Sequence, residues 1–493
     1  MENHSKNRLE KYLSIFTEVK SGEGIKALFL VFNIFLILTA YYIIKPVREA
    51  LILAGGTGQF SGAVLKSIAA TGQVFLLIMA IPLYSWIASR VSRRKLINSV
   101  TIFFTACLVI FYILAMSHVP LGIVFFLWVG IFNLMIPAQF WAFANDLYTP
   151  EAGKRIFVLI AFGASSGAVL GGIIADLFID IIGVYQLLLL AGLILLSSLV
   201  LTNIVETWDR SGKIGRNRTS EKTVSTEEPL SKEGAFRLVF QKKYLLMIAL
   251  LMMLLNWVNT NGEYILGQTI ENVAKESVQK PEVLQEADNY AREQVKQAQN
   301  KQNDQNAGIQ AGKEKLHHEY KQQYLQEYVE EYIGNFYAGF FTAVNILGLF
   351  LQLFIVSRIL KYLGIRIAIL VLPLISLFGY FTIAFIPILS IIRWVKIAEN
   401  ATDYSLQNTV RHALFLPTTR EEKYKAKQAI DTFFWRAGDV LSTVIVTVGS
   451  TLLLFTVKHF AVINLILVCL WLLLAYLIGR ENFRLTRSQD SSV

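Results

Sequence analysis

Stretches of 15 to 22 residues without a single charge recur along the chain, at 27–44, 74–88, 97–116, 187–204, 367–388 and 462–478, with a shorter one at 244–255. An α-helix rises 1.5 Å per residue, so about 20 apolar residues cover the ~30 Å hydrocarbon layer of a bilayer. Backbone amides at that depth meet no water, and a helix satisfies them internally. With 54% hydrophobic and 17% charged residues among 493, the chain carries more apolar surface than one soluble core of its size can hide. Several runs hold Phe, Trp or Tyr near their ends, where amphipathic rings sit at headgroup level. The predicted fold class is therefore an all-α polytopic membrane protein of about 12 transmembrane helices.

The net charge of +10 is distributed in a way that predicts topology. Arg90, Arg93, Arg94 and Lys95 follow the second span, Lys154 and Arg155 the fourth, and Arg358, Lys361 and Arg366 the eighth. Arg420, Lys423, Lys425 and Lys427 follow the tenth, and Arg480, Arg484 and Arg487 close the chain. The alternate loops near Gly55, His118, Gly183 and Ser390 carry almost none. By the positive-inside rule the basic loops and both termini are expected in the cytoplasm of a bacterial inner-membrane protein with an even number of spans. A nucleic-acid partner is disfavoured because the basic residues are spread over loops instead of forming one face; membrane lipid is the expected surrounding. The mixed charges of the first 25 residues (Lys6, Arg8, Glu10, Lys11, Glu18, Lys20, Glu23) do not match a cleaved signal, so the first helix is expected to be a permanent span. Cys107 and Cys469, each inside an apolar run, imply neither a disulfide framework nor a metal cluster and read as buried small hydrophobes.

Two polar interruptions divide the chain. Residues 1–25 form an N-terminal cytoplasmic segment, 26–205 a first six-helix half, and 206–243 a Ser/Thr/Gly/Lys/Glu-rich cytoplasmic linker. Residues 244–270 form the seventh span, and 271–334 an extracytoplasmic helical insertion rich in Gln, Glu, Lys, Asn and Tyr. Residues 335–480 complete the second half, and 481–493 form a cytoplasmic tail. The halves echo each other: FWAFANDLYTPEAGKRIF ends the fourth span and AENATDYSLQNTVRHALFLPTTREEKYKAK the tenth, each with Asn and Asp, a Thr/Pro turn and an acidic-basic cluster. Two comparable halves are what a pseudo-symmetric transporter has.

Ionisable groups at membrane depth cost at least about 2.5 to 3.5 kcal/mol on insertion scales, so each requires a partner or a wet cavity. In the first span Lys45, Arg48 and Glu49 fall at i, i+3 and i+4, on one helical face, beside Pro46. The fourth carries Asn133, Pro137, Gln139, Asn145 and Asp146, and the seventh Asn256, Asn259, Asn261, Glu263 and Gln268. The tenth carries Arg393, Lys396, Asn400, Asp403 and Gln407 at spacings of 3, 4, 3 and 4, with Glu399 beside the stripe. On the eleventh, Arg436 stands three residues before Asp439. Some of these charges can be simple neutralising pairs, Lys45 with Glu49 and Arg436 with Asp439. Spans one, four, seven and ten open each three-helix unit, and in the major-facilitator arrangement that the span count and central linker resemble, they line a central cavity. Gly163, Gly167 and Gly171 read as close helix packing.

Other chemistries are not signalled. AGKRIF and AGKEKL lack the leading glycine and following hydroxyl of a phosphate-binding loop, and no Ser/His/Asp set, zinc motif or dinucleotide fingerprint stands out, so neither an enzyme nor a cofactor is implied. His317 and His318 read as a solvated pair.

YYIIKPVREALIL, QFWAFANDLYTPEAGKRIF with its glycine-rich follower, and DYSLQNTVRHALFLPTTREEKYKAKQAIDTFFWRAGD resemble the ATP/ADP translocases of plastids and intracellular bacteria, more closely their bacterial relatives. The likeness covers nearly all of the membrane portion and excludes the insertion. It implies exchange of a nucleoside triphosphate for the diphosphate, or of a related nucleotide, by alternating access, with Lys45 matching the family's basic residue of the first span and Glu263 its acidic residue of the seventh. Two positions depart: the family's acidic residue before the FW pair of the fourth span is Val129 or an apolar neighbour here, and its basic residue after Arg-x-Gly in the eleventh is Asp439. Both bear on attraction for a highly charged phosphate tail. The resulting expectation is a secondary transporter for a small organic anion, with nucleotide exchange as the narrower version. Lys45 and Arg48 would contact the anion; Glu263 and Asp403 would act as clamps or coupling sites, with Glu49, Asn145, Asn259, Arg393, Lys396, Asn400 and Arg436 completing the candidate site. The alternative is a non-transporting receptor or scaffold that works through a partner of the extracytoplasmic insertion.

Overall fold

The computed structural model describes residues 23–56, 59–88, 90–148, 150–210, 235–301, 309–419, 422 and 426–490. The segment 1–22, the linker residues 211–234, and Arg420, Lys423 and Lys425 of the basic loop lie outside the described residues. Among the described residues, twelve helical passes follow in chain order. The first half contains span 1 (Gly24–Ala54), span 2 (Gly62–Ala88), span 3 (Arg93–Met116), span 4 (Gly122–Leu147), span 5 (Pro150–Ile182) and span 6 (Gln186–Arg210). The second contains span 7 (Lys243–Ser277), span 8 (within Ile309–Phe350 and its continuation), span 9 (Gly364–Phe385), span 10 (from Leu389–Thr402 on to Ala413), span 11 (Lys427–Ala429 on to Thr451) and span 12 (Val457–Asp490). Ten of the twelve are long and apolar enough to cross a membrane. Spans 10 and 11 fall short because polar residues and short π-helical turns interrupt them.

Span 2 begins at Gly62, a full twelve residues before its charge-free run, and span 7 continues well beyond its own run to Ser277. The helix that crosses as span 8 starts inside the insertion at Ile309. The insertion is thus a hairpin of Pro281–Lys301 against the front of a transmembrane helix, not a separate body. Val283, Ala287 and Ala291 are buried in it, and Tyr290 meets Tyr324 at 5.3 Å. Asp288 takes Lys321 at 3.1 Å and Arg292 at 2.8 Å. The Lys321 hydrogen bond holds the Asp288 carboxyl below its usual range. A carboxylate depressed on folding contributes stability that is present above its unfolded value, about 3.9, and is lost as pH falls through the folded one. Tyrosine fluorescence of the Tyr290–Tyr324 pair is expected to change in acid below pH 4, and Asp288→Asn should remove that transition.

Each half has its own apolar core. One is built from spans 1 and 3 to 6, around Phe104, Phe125, Trp128 and Phe132. The other is built from spans 7 to 12, with Ile52, Leu53 and Ala63 to Leu65 of the first half leaning on it. Span 5 packs on span 1 through its glycines. A Cβ on Gly163 would lie 2.7 Å from the Val31 carbonyl oxygen, on Gly167 2.2 Å from that of Phe35, and on Gly171 2.4 Å from that of Thr39. The small-residue series is a helix-packing seam, and its neighbours are backbone that cannot swing aside. Gly167→Ala is expected to cost about 1–3 kcal/mol, seen as a lower thermal midpoint in detergent. Gly72→Ala, where the nearest foreign atom is 4.0 Å away, should leave the midpoint unchanged.

π-Helical turns occur at Leu351–Ile355, Asp403–Gln407 and Ile430–Phe434, in spans 8, 10 and 11. The first half has none among the described residues. Cys107 is half-buried and Cys469 exposed on span 12, so the expectation of two buried cysteines is corrected: the outward face of a membrane helix meets lipid, where an apolar run need not be interior.

Candidate functional site: a charged cluster between the halves

Lys45, Arg48 and Glu49 occupy the last third of span 1, on the side that meets the second half. Pro46 removes one rung of the helix ladder there, yet the helix continues to Ala54. Glu49 is buried, accepts from its neighbour Arg48 and pairs with the Lys66 ammonium of span 2 at 2.7 Å. Lys66 also reaches Glu263 of span 7 at 3.7 Å, so one ammonium links carboxylates of both halves. Glu263 in turn lies 3.5 Å from Lys396 and accepts from the Asn400 amide at 3.1 Å. Lys396 is fully buried and donates to Asn259 at 3.0 Å, with Glu399 at 3.1 Å. The Tyr380 hydroxyl donates to Glu399 at 3.0 Å. Asp403 shares a small cavity with Asn259 and Glu399.

Lys45 differs from the other cations. Its ammonium lies 3.9 Å from the centroid of the Phe341 ring, 5.0 Å from that of Tyr42 and 5.9 Å from that of Tyr404, and no carboxylate is within ion-pair distance among the described residues. Rings offer a cation their negative faces without neutralising its charge. Tyr337, fully buried, stacks beneath Lys66 at 5.4 Å, and its hydroxyl has no hydrogen-bond partner among the described residues.

The candidate residues therefore divide. Arg48, Glu49, Asn259, Glu263, Lys396 and Asn400 form one connected group through Lys66, with Lys45 beside it against its own rings and Asp403 at its edge. Arg393 faces elsewhere, toward Phe336 of span 8 at 5.3 Å and Asp176 of span 5. Arg436 pairs with Asp439 at 3.2 Å. Asp439 also accepts from Asn256 and Thr260, both at 2.8 Å, which makes it a clamp between spans 7 and 11. Asn145 is exposed at the far end of span 4, next to Asp146, which pairs with Arg93. Tyr148 at that end stands over Lys26, and Lys26 lies 19 residues, about 28 Å of helix, from Lys45. Sequence reasoning did not single out Lys66 or the rings. A lone lysine in GAVLKSIAATG was the available signal for Lys66; Tyr42, Phe341 and Tyr404 carried none, since aromatic residues in apolar helices read as core. Span 12, otherwise apolar over 462–478, contributes Asn464, which accepts from Asn261 at 2.9 Å in the buried polar layer.

Residues 29–270 match the family described as the Major Facilitator Superfamily. Among solved structures, the chain resembles a nucleoside transporter, NupG, in a mutant form, with a TM-score of 0.57, 12% identity, and 92% of this chain and 98% of that one covered. It resembles a D-xylose–proton symporter at 0.55 and 12%, covering 92% and 97%. It also resembles a bacterial homologue of the human lysosomal transporter Spinster, solved inward-facing and unoccupied, at 0.54 and 13%, covering 95% and 99%. No curated protein matches the sequence. Residues 29–270 are a little under half of the chain, and the fold over nearly its whole length is like that of these transporters. Identities this low carry the fold and leave the solute open.

Proposed function

We propose that this protein moves a small organic anion across a bacterial inner membrane by alternating access, with its termini in the cytoplasm, and that Lys45 is the anion's principal ligand. The observation that carries this reading is the isolation of Lys45: a nearly buried ammonium, ringed by Phe341, Tyr42 and Tyr404, in a cluster where Arg48, Lys66 and Lys396 each already have a carboxylate. Burying an uncompensated charge is costly, and an anionic solute would supply the missing partner. The cluster also draws on both halves, as a site exposed alternately to two sides must.

The resemblance to ATP/ADP translocases supports nucleotide exchange as the narrower version, since Lys45 and Glu263 stand where that family has its basic and acidic residues. Thermal unfolding of the detergent-solubilised protein with ATP, ADP, other nucleotides, organic phosphates and carboxylates tests the reading. A ligand that binds the folded form must raise the midpoint. At least one anion is expected to do so and to be taken up by proteoliposomes. No shift from any anion would defeat the anion reading; a shift from carboxylates or simple phosphates alone, with no ADP-for-ATP exchange, would defeat only the nucleotide version.

A further inference from the structure

At the end of the molecule that carries the insertion, the halves are joined by a carboxylate. Glu271 of span 7 is fully buried and accepts from the backbone N–H groups of Gly62 at 3.0 Å and Ala63 at 2.9 Å, the first residues of span 2. These amides have no acceptor within their own helix and sit at its positive end, so a carboxylate from the other half takes the place of a cap. Lys275, one turn further along span 7, donates to the same carboxylate at 2.6 Å. The seam continues beside it: the Ser61 hydroxyl donates to Gln268 at 2.8 Å, and deeper in, Thr71 and Thr443 bond at 2.8 Å while Thr443 reaches the Ser67 carbonyl at 2.8 Å. Close approach is built in. Across the seam, a Cβ on Gly267 of span 7 would fall 3.3 Å from the Leu53 side chain of span 1, while within the first half one on Gly62 would fall 2.0 Å from the Leu53 carbonyl oxygen, which fixes the front of span 2 against span 1.

We propose that Glu271 is the latch that keeps this end closed, and that its carboxylate must leave the front of span 2 each time the end opens; that this end opens at all rests on the alternating access proposed above. The bond is well suited to such a role. It is directional, crosses from one half to the other, and is charge-assisted, so it is strong when made and lost as a unit when the helices part. Neutralising the acceptor weakens only the closed state and moves the population toward the open one, by about five- to tenfold if a charged acceptor is worth roughly twice a neutral one.

The test uses the full chain in lipid nanodiscs, with Cys107 and Cys469 replaced by serine and spin labels at Ser117→Cys and Lys458→Cys, exposed sites on opposite halves at this end. Glu271→Gln is expected to enlarge a longer-distance population about fivefold or more, and to speed amide exchange at residues 62–65 by a similar factor. Ser61→Ala, which removes a neighbouring bond without touching Glu271, should shift both less. If Glu271→Gln does not fold, Glu271→Asp keeps the charge on a side chain too short to reach both amides and is expected to shift both readouts in the same direction. Unchanged distances in the folded variant would overturn the proposal. So would faster exchange without longer distances, since the carboxylate would then be a local helix cap. Opening of this end with no uptake of any anion would uphold the latch while sinking the transport reading.

Discussion

Replacing Lys45 with alanine is expected to weaken anion binding and uptake sharply while leaving the protein at least as stable as before. The two effects separate if, as proposed, Lys45 serves the solute and not the fold. A hydrogen bond to a charged group is worth about 1.5–3 kcal/mol, so removing the ammonium costs roughly ten- to hundredfold in affinity. Against stability the balance reverses. The ammonium is desolvated among Phe341, Tyr42 and Tyr404 with no carboxylate beside it, and its release from that environment offsets the modest attraction of the rings. The check is a pair of measurements on one preparation: the thermal midpoint without ligand, and the midpoint shift or uptake with the best anion from the panel. Lower intrinsic stability together with intact anion binding would show that Lys45 holds the helices together instead.

Lys396→Met should behave in the opposite way, with a loss of about 3–5 kcal/mol of stability, because it strands a buried carboxylate. Lys396 is the cation that serves Glu399, whose remaining hydrogen-bond partner among the described residues is the Tyr380 hydroxyl. Glu263 is less affected, since Lys66 at 3.7 Å and the Asn400 amide at 3.1 Å still serve it. Adding Glu399→Gln removes the orphaned charge and keeps an acceptor for Tyr380, so the double variant should regain most of the loss. A double-mutant cycle on chemical or thermal unfolding measures this directly, and additive effects would mean that Lys396 and Glu399 do not depend on each other. Glu399→Gln alone should cost less than Lys396→Met, as Lys396 keeps Glu263 and Asn259.

What could be read from the sequence followed from its periodicities. Charge-free runs located most spans, and the i, i+3, i+4 spacing placed Lys45 with Arg48 and Glu49 on one face and Lys396 with Asn400 on another. The glycine series gave a packing seam whose reason is now explicit, since backbone of span 1 lies where any side chain would be. What could not be read depends on how helices from distant parts of the sequence turn toward one another. Arg393 belongs to the same stripe as Lys396, yet three residues rotate it toward span 5, and Asn145 shares a helix with residues near the cluster but lies at its far end. Lys66 escaped notice because span 2 opens with small residues and a charge, which delays its apolar run, although those features let it approach span 7 closely. Asp439 read as a departure from a family pattern; in the fold it is an acceptor for three donors, and its negative charge is spent on holding spans 7 and 11 together.

The π-helical turns give the halves different mechanical properties. Such a turn holds one residue too many for its ladder, and sharp bends in helices concentrate where that register is broken. Three of them sit in spans 8, 10 and 11, whereas spans 1 and 5 are bolted together by glycine against backbone. A working cycle would not be a symmetrical rocking of equals. It would resemble a stiff jaw closing on a pliant one, with most of the deformation absorbed by the partner that also contributes Lys396 and Glu263 to the charged cluster.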